Sequence, residues 1–286
     1  MEDILRVEGL CKDYGGFALQ DVSFSLPKGS IMGFIGENGA GKTTTIKLIL
    51  NMISKDSGDV SVFGLDHIRD EAQIKQDTGV VLDELHFYEG LRASDIPGIL
   101  RPIFASWDDA LYAKYLKRFG VPADKTIKQL SKGMKTKLSL CTTLAHNPRL
   151  LILDEATSGL DPVMRAEILE MFQDIIQDEE RSILMSTHII SDLEKMADYI
   201  TLIDGGRIVF SESADRLKYG YGILRCNQSD LLRISPEYIA GQRKGTYASE
   251  ALVKDPAHLR QRFPGLVIDP VSIEEIMMFF VRSQEQ

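Results

Sequence analysis

The run Gly36-Glu37-Asn38-Gly39-Ala40-Gly41-Lys42-Thr43 constrains this chain more than any other segment. It matches GxxxxGK[ST] at every fixed position. It lies between an apolar run, IMGFIG at 31–36, and a helical stretch from Lys42 to about Asn51. Glycines at these spacings let successive backbone N–H groups turn inward, and the helix that follows aims its positive end at the same point. Such a loop holds phosphates: Lys42 can reach the β- and γ-phosphates of a nucleotide, and the Thr43 hydroxyl can ligate Mg2+. A glycine-rich turn without a ligand is the competing reading, and the strand before it and helix behind it argue against that.

The rest of the first two hundred residues alternates strands with helices. Val22, Phe24 and Leu26 share one face of an alternating stretch, and Pro27-Lys28-Gly29 turns the chain into the run at 31–36. LLILD (150–154) and SILMS (182–186) are further short runs of buried-strand type. Asp161-Pro162 reads as an N-cap and first helical residue, opening a helix to about Gln177. Asp204-Gly205-Gly206 reads as a hairpin turn between Tyr199–Ile203 and Arg207–Phe210. The order predicts an α/β core with a mainly parallel sheet.

From about Glu89 to Ala145 the pattern is helical instead. Ser106-Trp107-Asp108-Asp109 resembles a capping box, after which Leu111, Tyr115, Leu116 and Phe119 share a face until Gly120 and Pro122 end it. This predicts a helical insertion in the core. Beyond about Tyr219 a short mixed segment follows, ending in SIEEIMMFFVR.

Composition narrows the function. Lys+Arg 33 against Asp+Glu 42 leaves a formal charge of -9 on 286 residues, which speaks against a broad nucleic-acid surface. No apolar run approaches the roughly 18–20 residues of a membrane helix. The opening MEDILRVEGL has early acidic residues and no hydrophobic stretch of a secretory leader. Cys11, Cys141 and Cys226 are too far apart for a CxxC pair and are expected to be buried as small apolar residues. The expectation is a cytoplasmic, acidic protein.

The second stretch that carries chemistry is LLILDEATSGLD, 150–161. Asp154, at the end of its strand, can hold Mg2+ directly or through water, and Glu155 can orient or deprotonate an attacking water. The third is Leu130-Ser131-Lys132-Gly133-Met134, just before a helical stretch. With Ser158-Gly159-Leu160-Asp161 and His188 in place, this order resembles the nucleotide-binding subunit of ATP-binding cassette (ABC) transporters over about residues 4–215.

The resemblance implies a P-loop NTPase core with a mainly parallel sheet, an antiparallel β subdomain and a helical ABC insertion at about 89–145. An ATPase domain would span 1–218, with a small C-terminal accessory segment at 219–286. It implies ATP and Mg2+ as ligands. Gly36, Glu37, Asn38, Gly39, Ala40, Gly41, Lys42, Thr43 and Thr44 would surround the phosphates, and Tyr14 would stack on adenine. Thr43 and Asp154 would face the metal, and Glu155 and the switch histidine His188 would be catalytic. The family works as a head-to-tail pair, homodimeric or heterodimeric, in which Ser131 and Gly133 would meet the γ-phosphate bound by the other subunit.

Two departures from the family pattern stand out. Lys132 and Met134 occupy positions where the signature LSGGQ has Gly and Gln. In the stretch Gly79-Val80-Val81-Leu82-Asp83, Asp83 replaces a glutamine that lies near Mg2+ and the transmembrane partner; an aspartate there can still approach the metal or its water, with a changed charge. These features and the C-terminal extension resemble ATPase subunits of bacterial ABC-2-type exporters of the bacitracin, phenol-soluble-modulin and peptide-export kind. The implied function is ATP hydrolysis that drives a separate integral-membrane permease, peripheral on the inner face of the cell membrane. The apolar residues of SIEEIMMFFVR suggest a partner surface and support for the dimer. The alternative is a soluble non-transport ABC ATPase acting on ribosomes or DNA; a single motif set, no long heptads, no cysteine clusters and the acidic charge argue against it. A small-molecule kinase leaves Leu130–Met134 and His188 unexplained.

Overall fold

The computed structural model describes residues 2–82, 87–227, 231–244 and 249–282. β1 (Asp3–Asp13) and β2 (Ala18–Pro27) pair antiparallel, and β3 (Ile31–Ile35) leaves them to enter a second sheet. After the glycine-rich loop and α1 (Lys42–Ile49), β4 (Ser57–Val62) and β5 (Leu65–Asp66) return to the first sheet, giving the order β2-β1-β4-β5. α2 (Glu71–Gln76) leads into β6 (Thr78–Val81), and a helical region follows: α3 (Ile96–Leu100), α4 (Asp109–Arg118) and α5 (Lys132–Leu144). β7 (Leu150–Asp154), α6 (Pro162–Ile175), β8 (Ser182–Ser186), α7 (Ile190–Leu193), β9 (Tyr199–Asp204) and β10 (Arg207–Ser213) complete the second sheet.

That sheet has the order β10-β9-β3-β8-β7-β6, parallel throughout except for the β9–β10 hairpin. β3, β7 and β8 are buried at every residue, because both faces of the sheet are covered. Their alternating side chains divide between two cores. Met32, Phe34, Leu150, Ile152 and Leu184 face α1 and the antiparallel sheet. Ile31, Ile35, Leu151, Leu153, Ile183 and Met185 join the core that α5 and α6 cover. Residues that end neighbouring strands of this sheet therefore emerge side by side at one edge.

The helical region departs from its sequence reading in one detail. Asp108, not Ser106, caps α4: its carboxylate accepts from the Ala110 and Leu111 N–H groups at 2.8 and 2.9 Å. The Ser106 hydroxyl instead donates to the His146 carbonyl at 2.6 Å, fastening the helix entry to the end of α5. The buried side chains are Tyr112, Leu116 and Phe119, while Leu111 and Tyr115 are half-buried. Cys141 and Cys226 are buried and Cys11 is half-buried.

After α8 (Ala214–Gly220), β11 (Tyr221–Cys226), β12 (Ile239–Lys244), β13 (Ser249–Lys254) and β14 (Ile268–Asp269) form a third, antiparallel sheet of order β12-β13-β11-β14. Leu224, Ala251, Val253 and Ile268 pack with Leu259 of α9 (Pro256–Arg262). Ile223 and Leu252 join the core that receives Ile276 and Phe279 of α10 (Ile273–Arg282). The Phe280 ring meets Phe210 and Tyr221 at 5.5 and 6.3 Å between centroids. The apolar residues of SIEEIMMFFVR thus find their partner surface inside the same chain, which removes the sequence argument that they need a second one. Among the described residues, no helix is long and apolar enough to cross a membrane.

Candidate nucleotide site

The glycine-rich loop leaves β3 under tight constraint. A Cβ on Gly36 would stand 2.3 Å from the Ile203 carbonyl oxygen, so only glycine lets the chain pass β9 there. Gly41 starts α1 at φ 116, a left-handed conformation open to glycine, and no side chain caps the helix. Glu37, Asn38 and Gly39 are exposed at the tip, Ala40 is buried beneath them, and Thr44 is half-buried on the first turn of α1.

Lys42 is buried, and its Nζ turns back over the loop to donate to the Gly36 and Glu37 carbonyls at 2.7 and 3.1 Å. Burial lowers its pKa from the ordinary lysine value, against the opposing pull of Glu155 and Asp154. Glu155 Oε1 lies 4.0 Å away.

β7 and β8 supply the acidic side. Their parallel register sets Asp154 opposite Ser186. The buried Asp154 carboxylate accepts from the Ser186 hydroxyl through one oxygen and from Thr43 Oγ1, at 2.9 Å, through the other. Glu155, the next residue, has a left-handed backbone at φ 53, a conformation that costs a non-glycine residue roughly 1–3 kcal/mol. Its N–H donates to the Ser186 carbonyl at 3.0 Å. Its Oε2 lies 2.7 Å from Nδ1 of the half-exposed His188, just beyond β8. At that distance the imidazole Nδ1–H can donate to the carboxylate, which when ionised only accepts.

The structure therefore brings Lys42, Thr43, Asp154, Glu155 and His188 together. It does not bring in Ser131 and Gly133. Ser131 caps α5, accepting from the Met134 N–H at 3.3 Å, and among the described residues it makes no hydrogen bond to the loop. A Cβ on Gly133 would meet Met164 Sδ at 3.1 Å, on α6. Tyr14 is 54% exposed in the turn between β1 and β2, with Lys12 Nζ 5.7 Å from its ring centre. Asp83 lies outside the described residues.

The family described as "ABC transporter" matches residues 19–158. The ABC transporter ATP-binding protein YtrB of Bacillus subtilis is 33% identical over 207 residues, covering 72% of this chain and 70% of that protein. The chain belongs to the ATP-binding proteins of ABC transporters. The bacitracin transport ATP-binding protein BcrA of Bacillus licheniformis is 32% identical over 76% of this chain and 72% of its own length. A solved structure of an "ATP binding subunit of ABC transporter" is 26% identical, with a TM-score of 0.69, over 75% of this chain and 92% of its own. As an ABC protein the chain binds ATP and is an ATPase coupled to transport.

This ABC ATPase also contains site-supporting residues that its motifs did not announce. Ser186 ends an apolar run and reads as a strand terminus until the β7–β8 register sets it against Asp154. Asp192, on α7, is a buried carboxylate that accepts from Thr157 Oγ1 at 3.2 Å, with Arg165 Nε at 4.0 Å. Asp192 lies four residues after His188 and Thr157 two after Glu155, and that spacing from the motif residues was the available signal.

Proposed function

We propose that this chain hydrolyses ATP to drive a separate integral-membrane permease, an exporter, with ATP held between two cassettes arranged head to tail. The observation that carries this reading is the adjacency of two pairs, Thr43 with Asp154 and Glu155 with His188, at the mouth of the loop that holds Lys42. Lys42 neutralises the β- and γ-phosphate oxygens once it swings off the Gly36 and Glu37 carbonyls. Glu155 accepts a proton from the attacking water, and His188 holds that carboxylate and contacts the γ-phosphate. Tyr14 offers its exposed ring to adenine, while Gly36, Glu37, Asn38, Gly39, Ala40, Gly41 and Thr44 line the phosphates.

Two hard oxygen donors, Thr43 Oγ1 and Asp154 Oδ2, converge at 2.9 Å, and that donor chemistry fits Mg2+. Among the described residues no cluster of three His, Cys, Asp or Glu side chains is built for a metal, so phosphate oxygens and water would complete the shell. When bound, Mg2+ withdraws charge from the transferred phosphoryl group. The sequence position of Asp83 supports a place beside that metal or its water.

Ser131 and Gly133 lie off their own loop, which supports a contact with γ-phosphate bound by a second subunit, identical or homologous. A hollow of about 400 Å³ between α1 and the helical region, lined by Met52, Val80, Leu82, Phe87, Leu100 and Phe104, supports docking of an apolar permease helix. That contact would hold the chain at the inner face of the cell membrane. The exporter direction draws support from the likeness to the bacitracin transport protein, and the net charge of -9 supports no nucleic-acid partner.

Glu155→Gln tests the reading. Phosphate release should fall by about 10²–10⁴-fold, the usual contribution of a positioned base. ATP binding should persist, and a closed dimer should accumulate on sizing columns. Normal turnover by this variant removes Glu155 from the role.

A further inference from the structure

α7 is one turn of helix directly after His188, and three separate parts of the molecule hold it. Leu193 sits over β3, where a Cβ on Gly33 would come within 2.4 Å of Leu193 Cδ1. Asp192 accepts from Thr157, in the segment after Glu155. Glu194, at the end of the helix, reaches the C-terminal unit: its Oε1 accepts from the Ile273 N–H at 2.8 Å.

That last bond completes a cap across two elements. Ser272 and Glu275 cap α10 locally: the Ser272 hydroxyl accepts from the Glu275 N–H at 3.1 Å, and Glu275 Oε2 accepts from the Ser272 N–H at 3.0 Å. The N–H of Ile273, the first helical residue, is left over by this arrangement, and Glu194 takes it. A carboxylate at a helix N-terminus is also favoured by the helix dipole. Below the bond, Ile190 and Leu193 share one core with Ile273, Ile276 and Phe279. The first two contacts of α7 lie within the nucleotide-binding core. The third, with the apolar packing beneath it, depends on the C-terminal unit.

We propose that Glu194 is a positioning residue: by holding the first N–H of α10 it lets the C-terminal unit set the stance of α7, and through α7 the distance between His188 and Glu155. The proposal rests on the reading of Glu155 and His188 as the water-activating pair. Displacement of α7 would bear first on the 2.7 Å contact of His188 with Glu155, since among the described residues no hydrogen bond joins α7 to the glycine-rich loop or to Lys42. The effect therefore falls on turnover and not on ATP affinity.

The test uses the full-length chain with Glu194→Ala, Glu194→Gln and His188→Ala. Glu194→Ala should lower kcat about ten-fold, the scale expected when a reacting group is misplaced by a fraction of an ångström. KM for ATP should stay within about two-fold. Glu194→Gln keeps an acceptor oxygen for the Ile273 N–H and should restore most of the rate. The His188 ring resonance, assigned by its loss in His188→Ala, should move in Glu194→Ala and return in Glu194→Gln. An unmoved resonance, or a rate loss that glutamine does not rescue, overturns the proposal. Normal turnover by His188→Ala instead overturns the role of His188, while the resonance still reports whether Glu194 positions it. If the alanine chain does not fold, Glu194→Asp withdraws the acceptor by one methylene and carries the same measurements.

Discussion

Helices α1 and α5 both begin with residues that the ABC pattern assigns to phosphate, yet they begin in opposite ways. α1 opens on Gly41 at φ 116 with no side chain over its first N–H groups. α5 opens on Ser131, whose hydroxyl already accepts from the Met134 N–H. An α-helix leaves its first four N–H groups without helical partners, so the first start is open to an anion and the second is partly satisfied by its own chain. The loop before α1 compensates differently, with the Lys42 ammonium drawn over its carbonyls. One helix start is kept open at a cost in solvation; the other is stable by itself and retains a hydroxyl proton to offer a visitor.

The strongest way to break this contrast is Lys42→Ala. Loss of a charged donor to two phosphates should weaken ATP binding by about 100-fold or more in an equilibrium titration. Stability should barely change, because burial already disfavours the Lys42 cation. The pH dependence follows with a definite sign. Between the lowered folded pKa and the ordinary 10.5, the unfolded chain holds a proton that the folded chain has released, so stability rises with pH across that window. Alanine should flatten that rise in urea melts. A large drop in melting temperature would mean that the cation braces the loop more than it serves the ligand.

A second contrast lies in the glycines. A methyl on Gly36 meets a backbone carbonyl of β9 at 2.3 Å, whereas one on Gly133 meets the flexible end of Met164 at 3.1 Å. Gly36→Ala should therefore cost about 1–3 kcal/mol in denaturant unfolding and weaken ATP binding as the loop shifts. Gly133→Ala should cost less than about 1 kcal/mol, since helix propensity offsets the contact. Equal costs would mean that the two helix starts are equally constrained.

Much of this was legible beforehand, and the pattern of what was not is physical. β3, β7 and β8 read directly because strands covered on both faces are continuous apolar runs. Asp161 read as a cap because its carboxylate does bind the Val163 and Met164 N–H groups. β1 resisted because its pairing with β2 carries register shifts that break the alternation. Asp108 lost to Ser106 as the cap of α4 because both have suitable side chains, and the loop path decided between them. In the site, the phosphate-loop spacing marked Lys42 and Thr43 and the strand-end acids marked Asp154 and Glu155, while His188 stood out through the family resemblance. Ser186 acts through strand register, which no local pattern carries, and Asp192 through a contact with Thr157 that only its spacing from His188 hinted at. The last helix looked unpartnered because a sequence does not tell whose surface covers an apolar face, its own chain's or another's.

The finest test separates the two things that Ser131 can do. Ser131→Ala removes the cap and the hydroxyl together and should cost about 1 kcal/mol of stability. Ser131→Gly also removes the hydroxyl, but glycine suits the N-cap backbone and should cost only a few tenths of a kcal/mol. If Ser131 serves α5 alone, the glycine chain should turn over ATP like the parent. If its hydroxyl meets γ-phosphate across a dimer, both variants should lose the same factor, about two- to ten-fold for one neutral hydrogen bond, despite their different stabilities. We expect the equal loss, read as phosphate release at protein concentrations high enough to sustain the dimer. A glycine variant with full turnover would make α5 a helix that merely starts well, and leave α1 as the only one of the two built to receive phosphate.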